Sequence, residues 1–526
     1  MTLRTLSLVS ALVVCGSTLH GQEATSPVVK RSAYEDLQMF GQVLNQIRVN
    51  HPDSVDMHEL FMAAVAGMVH AADPHSFVIP AVRLVPGKEA ALREGKLQPV
   101  PVSFTLVGGS PVVVGVAAGT SAQLLDLLPG DELVAVDGAT VSAASAEELE
   151  IALAGPKGSA VRLTVERRRS DGSLARLERE VRRESFDEES AVALATLLDS
   201  ATGYVRVTTF MGERVADDLH AALDRLERAG MQRLILDLRD NGGGNVAEAA
   251  HVAGEFLPRG SIIYTSEGRK PEIADTGRVD RSRWSTERRY PMLVLVNAGT
   301  ASASELVAGA LQDHDRALII GRPTFGKSLL MRGFPMADGS ILELVIGHVR
   351  TPCGRVVQRQ YRAITRRDYY RLARAERDTA GRPSCTTDAG RRVYGGGGIF
   401  PDVALPPPVV MPRWMEDVEE QQLSRKWAAG YVDVHKATLA SAGGFANSAL
   451  PASDVADFRT FATRQGVTIP IDAAADSALR VLLMRRIGAA RWGREGAYRV
   501  EIAHDAIVGN AAANFAQASR LLTREP

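Results

Sequence analysis

Apolar segments of strand length alternate with segments of helical periodicity between about residue 190 and residue 350. The strand candidates are continuous apolar runs, which indicate strands covered by other structure on both faces. Strands that alternate with helices indicate a largely parallel sheet in an α/β domain. The predicted strands are residues 203–207, 233–237, 292–296 and 317–320, and the predicted helices lie around residues 215–229, 246–256 and 302–313.

The segments on either side of this region have different patterns. Residues 33–92 open with apolar residues at three- and four-residue spacing, which predicts helices. Residues 95–183 contain short strand-like runs separated by turn dipeptides, which predicts a small, partly open β-barrel with one or two helices. The α/β core at residues 185–410 contains a polar insertion at 359–395, and residues 411–526 are predicted to be mostly helical. With 526 residues the chain has room for several cores, so the sequence predicts a multidomain α/β protein.

The N-terminus has the pattern of an export signal. Arg4 precedes an apolar run at residues 6–14, and small and polar residues follow as far as Gly21. This run is too short to span a bilayer and no later run is long and apolar enough, so no integral membrane span is expected. Cys15 lies in a segment that resembles a lipoprotein box, but Val14 stands where a small residue is usual, which leaves lipid anchoring open. We expect residues 1–21 to be a signal peptide and the chain to be periplasmic or in the cell envelope.

Charge and cysteine content limit the classes of partner and cofactor. The formal net charge of -1 gives no general reason to expect nucleic acid as a partner. Once the signal is removed, Cys353 and Cys385 remain; in an oxidising compartment they could form a disulfide, and each could also be a separate buried thiol. The sequence contains neither HExxH nor paired CxxC motifs, and no metal or cofactor is expected.

The octapeptide GRPTFGKS at residues 321–328 fits the pattern of a phosphate-binding loop. Such a loop needs a helix directly after its Lys-Ser pair, but Gly333 and Pro335 would interrupt a helix here, and residues 337–340 predict a hairpin turn. An exported protein would also meet little ATP. Nucleotide binding is therefore the weaker interpretation, and we place Lys327 on a strand. A lysine buried among Phe325 and its apolar neighbours would have a lowered pKa and could act as a general base for a serine hydroxyl.

Two further segments follow predicted strands, where open α/β sheets place their ligands. The first, DLRDNGGG at residues 237–244, has three glycines that permit close approach of backbone N–H groups, or simply form a tight turn. The second, NAGTASASE at residues 297–305, places Ser302 at a predicted helix N-terminus, where developing negative charge is favoured. Ser302 or Ser304 could also be an ordinary N-cap residue.

These segments resemble a known family. "LILDLRDNGGG", "VLVNAGTASASELVAGALQD" and "RALIIGRPTFGKS" are similar in order and spacing to the C-terminal processing (tail-specific) serine peptidases, peptidase family S41. "LLPGDELVAVDG" resembles the PDZ domain that this family carries before its catalytic core, and "AADPHSFVIP" resembles its N-terminal signature. The resemblance covers residues 33 to about 405. It implies a PDZ domain at 95–183 and an α/β peptidase core of the ClpP/crotonase-like type at 185–410.

The resemblance also assigns roles to individual residues. It places the nucleophile at Ser302 and the general base at Lys327, and the separation of 25 positions selects Ser302 over Ser304. The implied oxyanion donors are the backbone N–H groups of Ala303 and of a glycine in the 241–244 loop, with Gly243 as the first choice.

Glu305 and Asp313 match acidic positions of the family, for which supporting roles are implied. One position departs from the pattern, because Met331 stands where many members have a glutamine that hydrogen-bonds the lysine. Methionine cannot orient an amine in this way. Either another group, such as Glu305, holds Lys327, or activity is reduced.

The resemblance implies protein or peptide substrates with a free C-terminus, which a PDZ domain would bind as an added strand. The binding loop is expected near residues 101–109, although Gly108 and Gly109 could equally form a plain hairpin. The prediction is an exported serine endopeptidase with a Ser-Lys dyad. The alternative is a non-catalytic or weakly active PDZ scaffold of the same fold, and an oligomer or adaptor protein is left open.

Overall fold

A computed structural model of the chain describes residues 32–79, 88–107, 110–117, 120–125, 127–141, 146–168, 174–185, 190–280, 287–362, 369, 371–372, 378–406 and 411–522. The chain divides into two compact units, and the boundary in the sequence lies between Met68 and Val69. The predicted signal peptide and Cys15 lie outside the described residues. None of the described helices combines the length and the apolar content that crossing a bilayer requires.

The first unit consists of helices, as the spacing of its apolar residues predicts. Helix α1 (Ala33–Asn50) begins after Ser32, whose side chain accepts a hydrogen bond from the backbone N–H of Glu35. Helix α2 (Met57–Ala72) begins in this unit and ends in the second. The rings of Phe40 and Phe61 lie 6.3 Å apart in an edge-to-face arrangement, so the two helices contact each other through aromatic side chains.

The second unit begins with a short strand and helix and continues into the predicted PDZ region. Its elements are β1 (Phe77–Ile79), α3 (Lys88–Arg93), β2 (Val102–Val107), β3 (Ser110–Val116), β4 (Glu132–Val136), β5 (Ala139–Thr140), α4 (Ala146–Leu153), β6 (Ala160–Arg168) and β7 (Leu174–Arg182). The antiparallel sheet has the order β2-β3-β4-β6-β7, and β5 pairs with β4. Its interior is apolar, and Val113, Leu163 and Val165 are fully buried.

The structure corrects the predicted carboxylate-binding loop of the PDZ region. Most of residues 101–109 is strand β2, and Val107 pairs with Ser110. The segment is therefore one arm of a hairpin, as the alternative interpretation of the glycines allowed. Gly108 and Gly109 themselves lie outside the described residues.

The α/β core follows the predicted alternation. Its elements are β8 (Val192–Leu197), β9 (Thr202–Val207), α5 (Val215–Arg228), β10 (Arg233–Asp237), α6 (Val246–Gly254), β11 (Ile262–Gly268), β12 (Asp275–Arg278), β13 (Met292–Val296), α7 (Ala303–Asp313), β14 (Leu318–Gly321), β15 (Leu329–Pro335), β16 (Ile341–Arg350), β17 (Ser384–Thr386), β18 (Arg392–Tyr394) and β19 (Val403–Ala404). The main sheet has the order β19-β14-β13-β10-β9-β8 and is parallel except where β8 meets β9. The prediction of a largely parallel, buried sheet is confirmed.

A second sheet lies beside the main one. Strand β16 pairs antiparallel with β15, β1 and β11, and β12 pairs with β11. The backbone N–H of Met336 donates to the carbonyl oxygen of Ser340 at 2.8 Å, which closes the predicted hairpin between β15 and β16. Lys327 lies near the end of the connection that runs from β14 of the main sheet to β15 of this second sheet.

The C-terminal region is helical, as predicted. Its helices are α8 (Arg413–Glu420), α9 (Leu423–His435), α10 (Ala442–Ala446), α11 (Ala452–Arg464), α12 (Ala473–Ala503), α13 (Ala506–Ala511) and α14 (Phe515–Leu522). Helices α8 to α12 share an apolar core of their own around Trp427 and Phe458. Helices α13 and α14 instead cover one face of the main sheet, where Phe515 packs in one cluster with Ile235 and Leu293. Helices α5, α6 and α7 cover the opposite face, which explains why the strands are apolar on both sides.

Candidate active site

Three connections leave the main sheet at one edge. Strands β10, β13 and β14 are parallel neighbours, so their carboxyl ends lie side by side. The glycine loop (residues 238–245) follows β10, the nucleophile turn (residues 297–302) follows β13, and the lysine loop (residues 322–328) follows β14. The structure therefore brings together the three segments that carry the sequence motifs, at the edge where open parallel sheets bind ligands.

Ser302 has an unusual backbone at the start of α7. Its φ is 57° and its ψ is -118°, a conformation that few residues other than glycine adopt and that costs free energy. Ser302 is half-buried, whereas Ser304 is fully buried and its hydroxyl donates to the carbonyl oxygen of Asn241 at 2.9 Å. Of these two serines, Ser302 is the one whose side chain is open to a ligand.

The glycine loop packs directly against the nucleophile turn. Gly243 has a φ of 97°, and a Cβ atom at this position would lie 2.8 Å from the Cβ of Ser302 and 2.8 Å from the nitrogen of Ala303. No side chain larger than hydrogen fits there. The Gly243 N–H donates to the side-chain oxygen of Asn241 at 2.9 Å, while the Ala303 N–H has no hydrogen-bond acceptor in the part of the chain that the structure describes. Ala303 thus offers a free donor beside Ser302. Gly243 as an oxyanion donor stays a prediction that requires Asn241 to release this N–H.

Lys327 lies in the lysine loop, two residues before β15. The prediction that it lies on a strand is therefore wrong by a short distance, because the regular pairing with β16 begins only at Leu329. Strand β15 comes directly after Ser328, where a phosphate-binding loop would require a helix.

Glu305 joins the nucleophile turn to the lysine loop. Its buried carboxylate accepts the backbone N–H groups of Ser302 at 2.9 Å, Gly326 at 2.7 Å and Lys327 at 2.8 Å. The hydroxyl of Thr324 donates to the same carboxylate. Burial raises the pKa of Glu305 to about 7, although these four hydrogen bonds oppose that shift. The predicted supporting role of Glu305 thus has a concrete form, since one side chain fixes the relative position of both segments.

Ser302 and Lys327 line one pocket together with Glu305 and the apolar side chains of Leu306 and Val357. Burial lowers the pKa of the Lys327 amine below its usual value of 10.5. The negative charges of Glu305, Asp73 and Glu343 act in the opposite direction, and burial has the larger effect. A lysine with a lowered pKa in the same pocket as a half-buried serine is suited to accept the proton of the hydroxyl.

Asp313 and Met331 lie outside this pocket's lining. Asp313 ends α7, where its buried carboxylate pairs with Arg355 at 2.7 Å and accepts the Cys353 N–H at 3.1 Å. Its supporting role is therefore structural. Met331 is half-buried on β15 opposite Val345.

Cys353 and Cys385 form a disulfide, with their Cα atoms 6.0 Å apart. The bond joins the turn after β16 to strand β17 of the insertion. The two sulfur atoms and the Asp313 carboxylate lie close enough together to suggest a metal site. However, the sulfurs are bonded to each other and the carboxylate is paired with Arg355, so this group does not fit a metal ion as it stands.

Sequence reasoning missed further groups that contact the lysine loop. The side chain of Gln358 accepts the Ser328 N–H at 2.9 Å, and the Tyr369 hydroxyl lies 3.4 Å from the carbonyl oxygen of Gly326. His75, interpreted from the sequence as a capping or structural residue, contacts Tyr369. No local pattern indicates these contacts, because the residues are 31 or more positions from Lys327 or lie in a polar insertion without periodicity.

The chain is similar to known proteins over its PDZ region and much of its α/β core. The model of peptidase family S41 matches residues 201–366, and a PDZ domain model matches residues 112–167. The carboxy-terminal-processing protease of Bartonella bacilliformis is 30% identical over 334 residues, which cover 62% of this chain and 74% of that protein. The chloroplastic carboxyl-terminal-processing peptidase 2 of Arabidopsis thaliana is 35% identical over 283 residues, 51% of this chain and 53% of that protein. Among solved structures, a photosystem II D1 C-terminal processing protease is 25% identical, with 72% of this chain and 88% of that chain covered and a TM-score of 0.36.

Proposed function

The chain belongs to peptidase family S41, and we propose that it is an exported serine endopeptidase that cleaves proteins near their C-termini with a Ser-Lys dyad. The observation that carries the proposal is the shared pocket of Ser302 and Lys327, in which Glu305 hydrogen-bonds the backbone of both residues. The names of its relatives support the choice of C-terminal processing as the reaction.

The proposed chemistry begins with proton transfer. Neutral Lys327 takes the proton of Ser302 as the serine oxygen attacks the scissile carbonyl carbon. The N–H of Ala303 donates to the oxyanion that forms, and the Gly243 N–H joins it when Asn241 releases it. Protonated Lys327 then gives its proton to the leaving amine. In the second half, the same lysine deprotonates water, which hydrolyses the acyl-enzyme and restores the serine.

The PDZ region is proposed to select substrates by their tails. Strands β2 and β7 are the two edges of its sheet, and an edge strand can pair with an extended peptide. A substrate with a free, apolar C-terminus should therefore be cleaved faster than the same substrate with an amidated or charged C-terminus. Equal rates for both substrates would remove the PDZ region from substrate selection.

Export is proposed from the N-terminal signal pattern. Cell fractionation with an antibody should find the protein in the periplasm or cell envelope, without residues 1–21. A protein that starts at Met1 in the cytoplasm would contradict export without affecting the proposed chemistry.

The activity is tested by incubating an unstructured protein such as β-casein with the full chain and its serine variants. Wild type should cleave it, and Ser302→Ala should lose at least about 10⁴-fold in rate. Ser304→Ala is the matched control and should remain active, because its buried hydroxyl bonds only the Asn241 carbonyl oxygen. Cleavage by Ser302→Ala at the wild-type rate would refute the proposal.

A non-catalytic PDZ scaffold is the second candidate. Met331 at the position of the family's glutamine favours it, as does the hydrogen bond that occupies the Gly243 N–H. This candidate predicts that wild type binds a C-terminal peptide, does not cleave it, and is unaffected by Lys327→Ala.

A further inference from the structure

The lysine loop has a second set of hydrogen bonds besides those to Glu305. Gln358, in the segment after β16, accepts the Ser328 N–H through its side-chain oxygen at 2.9 Å. The amide nitrogen of the same side chain donates to the Tyr369 hydroxyl at 3.1 Å. That hydroxyl lies 3.4 Å from the carbonyl oxygen of Gly326. Gly326 and Ser328, the residues directly before and after Lys327, are thus both contacted by the side-chain pair of Gln358 and Tyr369.

Tyr369 is fully buried, and aromatic rings surround it. The ring of Phe325, within the lysine loop, lies 5.7 Å from the Tyr369 ring, and the His75 ring lies 5.2 Å from it. Nε2 of His75 lies 2.9 Å from the Tyr369 hydroxyl oxygen. Asp73 fixes the turn that carries His75, because its carboxylate accepts the backbone N–H groups of His75 and Ser76 at 2.8 and 2.7 Å.

The direction of these hydrogen bonds follows from the groups involved. A tyrosine hydroxyl has one proton to donate and can accept two hydrogen bonds. The Gly326 carbonyl can only accept, and the Gln358 nitrogen can only donate. In the arrangement that uses the contact with Gly326, the Tyr369 hydroxyl donates to the Gly326 carbonyl oxygen, which also accepts the Arg359 N–H at 2.8 Å, and Nε2 of His75 donates to the hydroxyl.

We propose that the Tyr369 hydroxyl, held by His75 and Gln358, is a positioning group for Lys327 in this chain. It does not touch the reacting atoms. Together with Gln358 it holds the backbone of Gly326 and Ser328, the residues on either side of the lysine. Met331 cannot contribute a hydrogen bond to this positioning. This inference rests on the proposed peptidase function and adds to it residues from two distant segments of the chain.

The position of the loop also controls the environment of the amine. Charged groups face Lys327 from several elements: Glu305 from α7, Asp73 from the turn after α2 and Glu343 from β16. The ring of Phe325, within the loop, packs edge-to-face on the rings of Tyr369 and His75. Loss of the Tyr369 hydroxyl should loosen the loop, admit water and move the pKa of Lys327 upward towards 10.5.

The test compares two Tyr→Phe variants of the full chain. Tyr369→Phe removes only the hydroxyl and keeps the ring. Tyr361→Phe is the matched control, because the Tyr361 ring also packs on His75, at 6.3 Å, but its hydroxyl makes no hydrogen bond to the described residues of the lysine loop. The probe is a fluorescence-quenched peptide with a free, apolar C-terminus, and kcat, KM and the pH dependence of kcat are measured for each variant.

For Tyr369→Phe, kcat should fall about 10- to 100-fold with KM changed by less than about twofold, and the rise of kcat with pH should move to higher pH. Tyr361→Phe should match wild type. Equal kcat and equal pH profiles for the two variants would overturn the proposal. A wild type that cleaves nothing would instead refute the peptidase function.

A second pair of variants covers the case in which Tyr369→Phe fails to fold. His75→Gln keeps an N–H donor, whereas His75→Phe keeps only the ring. His75→Gln should retain more of kcat than His75→Phe, with similar melting temperatures. Indistinguishable kcat values and pH profiles for this pair would also overturn the proposal.

Discussion

The nucleophile turn and the lysine loop reach the same pocket by different means. Within the nucleophile turn, Asn297 accepts the Gly299 N–H through its side chain at 2.9 Å, and its own N–H donates to the Thr300 hydroxyl at 3.0 Å. The lysine loop is held mainly by residues from elsewhere in the chain. Glu305 accepts the N–H groups of Gly326 and Lys327, and the Ile399 carbonyl oxygen accepts the Thr324 N–H at 3.1 Å. Gln358 and Tyr369 contact the end of the loop that leads into β15.

The two segments should therefore differ in how mutations affect them. The nucleophile turn is held by its own hydrogen bonds and by the glycine loop, because the Thr300 hydroxyl donates to the Leu238 carbonyl oxygen at 2.8 Å and the Ala301 N–H donates to the Asn241 carbonyl oxygen at 3.0 Å. The pKa and position of Lys327 depend on several distant segments. We therefore expect the nucleophile to be sensitive to a few local changes, and the base to be adjustable from many positions.

Among the variants that test this comparison, Lys327→Ala has the largest expected effect. The rate of peptide cleavage should fall by at least about 10³-fold, because Lys327 is the proposed acceptor of the serine proton in the pocket. Lys327→Arg should be equally inactive, since a guanidinium stays protonated throughout the accessible pH range. The activity of both variants is measured as single-turnover cleavage rates. Substantial activity in either variant would contradict the role of Lys327 as the general base.

Gly243→Ala tests the local control of the nucleophile. The added Cβ would lie 2.7 Å from the Ala301 carbonyl oxygen and 2.8 Å from the Cβ of Ser302, so the nucleophile turn must shift. We expect a loss of about 100-fold in kcat and a lower melting temperature, because alanine is strained at a φ of 97°. Gly242→Ala is the control, since a Cβ there meets no atom within 4 Å, and it should lose far less activity. Equal effects of the two variants would contradict local control of the nucleophile.

Glu305→Gln addresses the residue that both segments share. The amide has one acceptor oxygen in place of two, and its nitrogen would face an N–H donor, so kcat should fall about 10- to 100-fold.

The contribution of Glu305 to stability should depend on pH in a defined direction. Because burial raises the pKa of Glu305 from 4.5 to about 7, the folded state binds this proton more tightly than the unfolded state does. The contribution of Glu305 to the free energy of unfolding should therefore be fully present below pH 4.5 and decrease by about 3 kcal/mol as the pH rises through 7.

Denaturant unfolding between pH 4 and 8 checks this direction. The component of the pH dependence that Glu305 contributes should be absent in Glu305→Gln. A wild type whose stability rises across this range, and an identical rise in the variant, would show that Glu305 is ionised throughout.

Reduction of the Cys353–Cys385 disulfide should have the smallest effect on catalysis. The bond closes a loop of 32 residues, so its loss should lower the free energy of unfolding by about 3–4 kcal/mol. At a temperature well below unfolding, kcat should change by less than about threefold, because the bond lies outside the lining of the pocket. Thermal melts and activity with and without a reductant measure both quantities. A large loss of kcat in the folded, reduced protein would show that the disulfide also helps to position the lysine loop.

The two segments also differ in how far the sequence predicts them. The strands β9, β10, β13 and β14, the helix starting after Ser302 and the need for glycine near residue 243 follow from local patterns. The family resemblance identified Ser302 and Lys327, and the structure places them in one pocket. The contacts of Glu305 with three N–H groups, and of Tyr369 with Gly326, depend on packing between remote segments, which no local pattern records. The carboxylate-binding loop was misplaced for a related reason, since β2 and a loop of similar composition differ only in their pairing with β3.

The central claim is that an uncharged Lys327 removes the proton of Ser302. The pH dependence of covalent labelling by a fluorophosphonate, with the labelled residue located by mass spectrometry, tests it without knowledge of the substrate. We expect labelling at Ser302 that increases with pH around a midpoint below 10.5 and is lost in Lys327→Ala. Labelling at another residue, or labelling of Ser302 that is unchanged in Lys327→Ala, would contradict the claim.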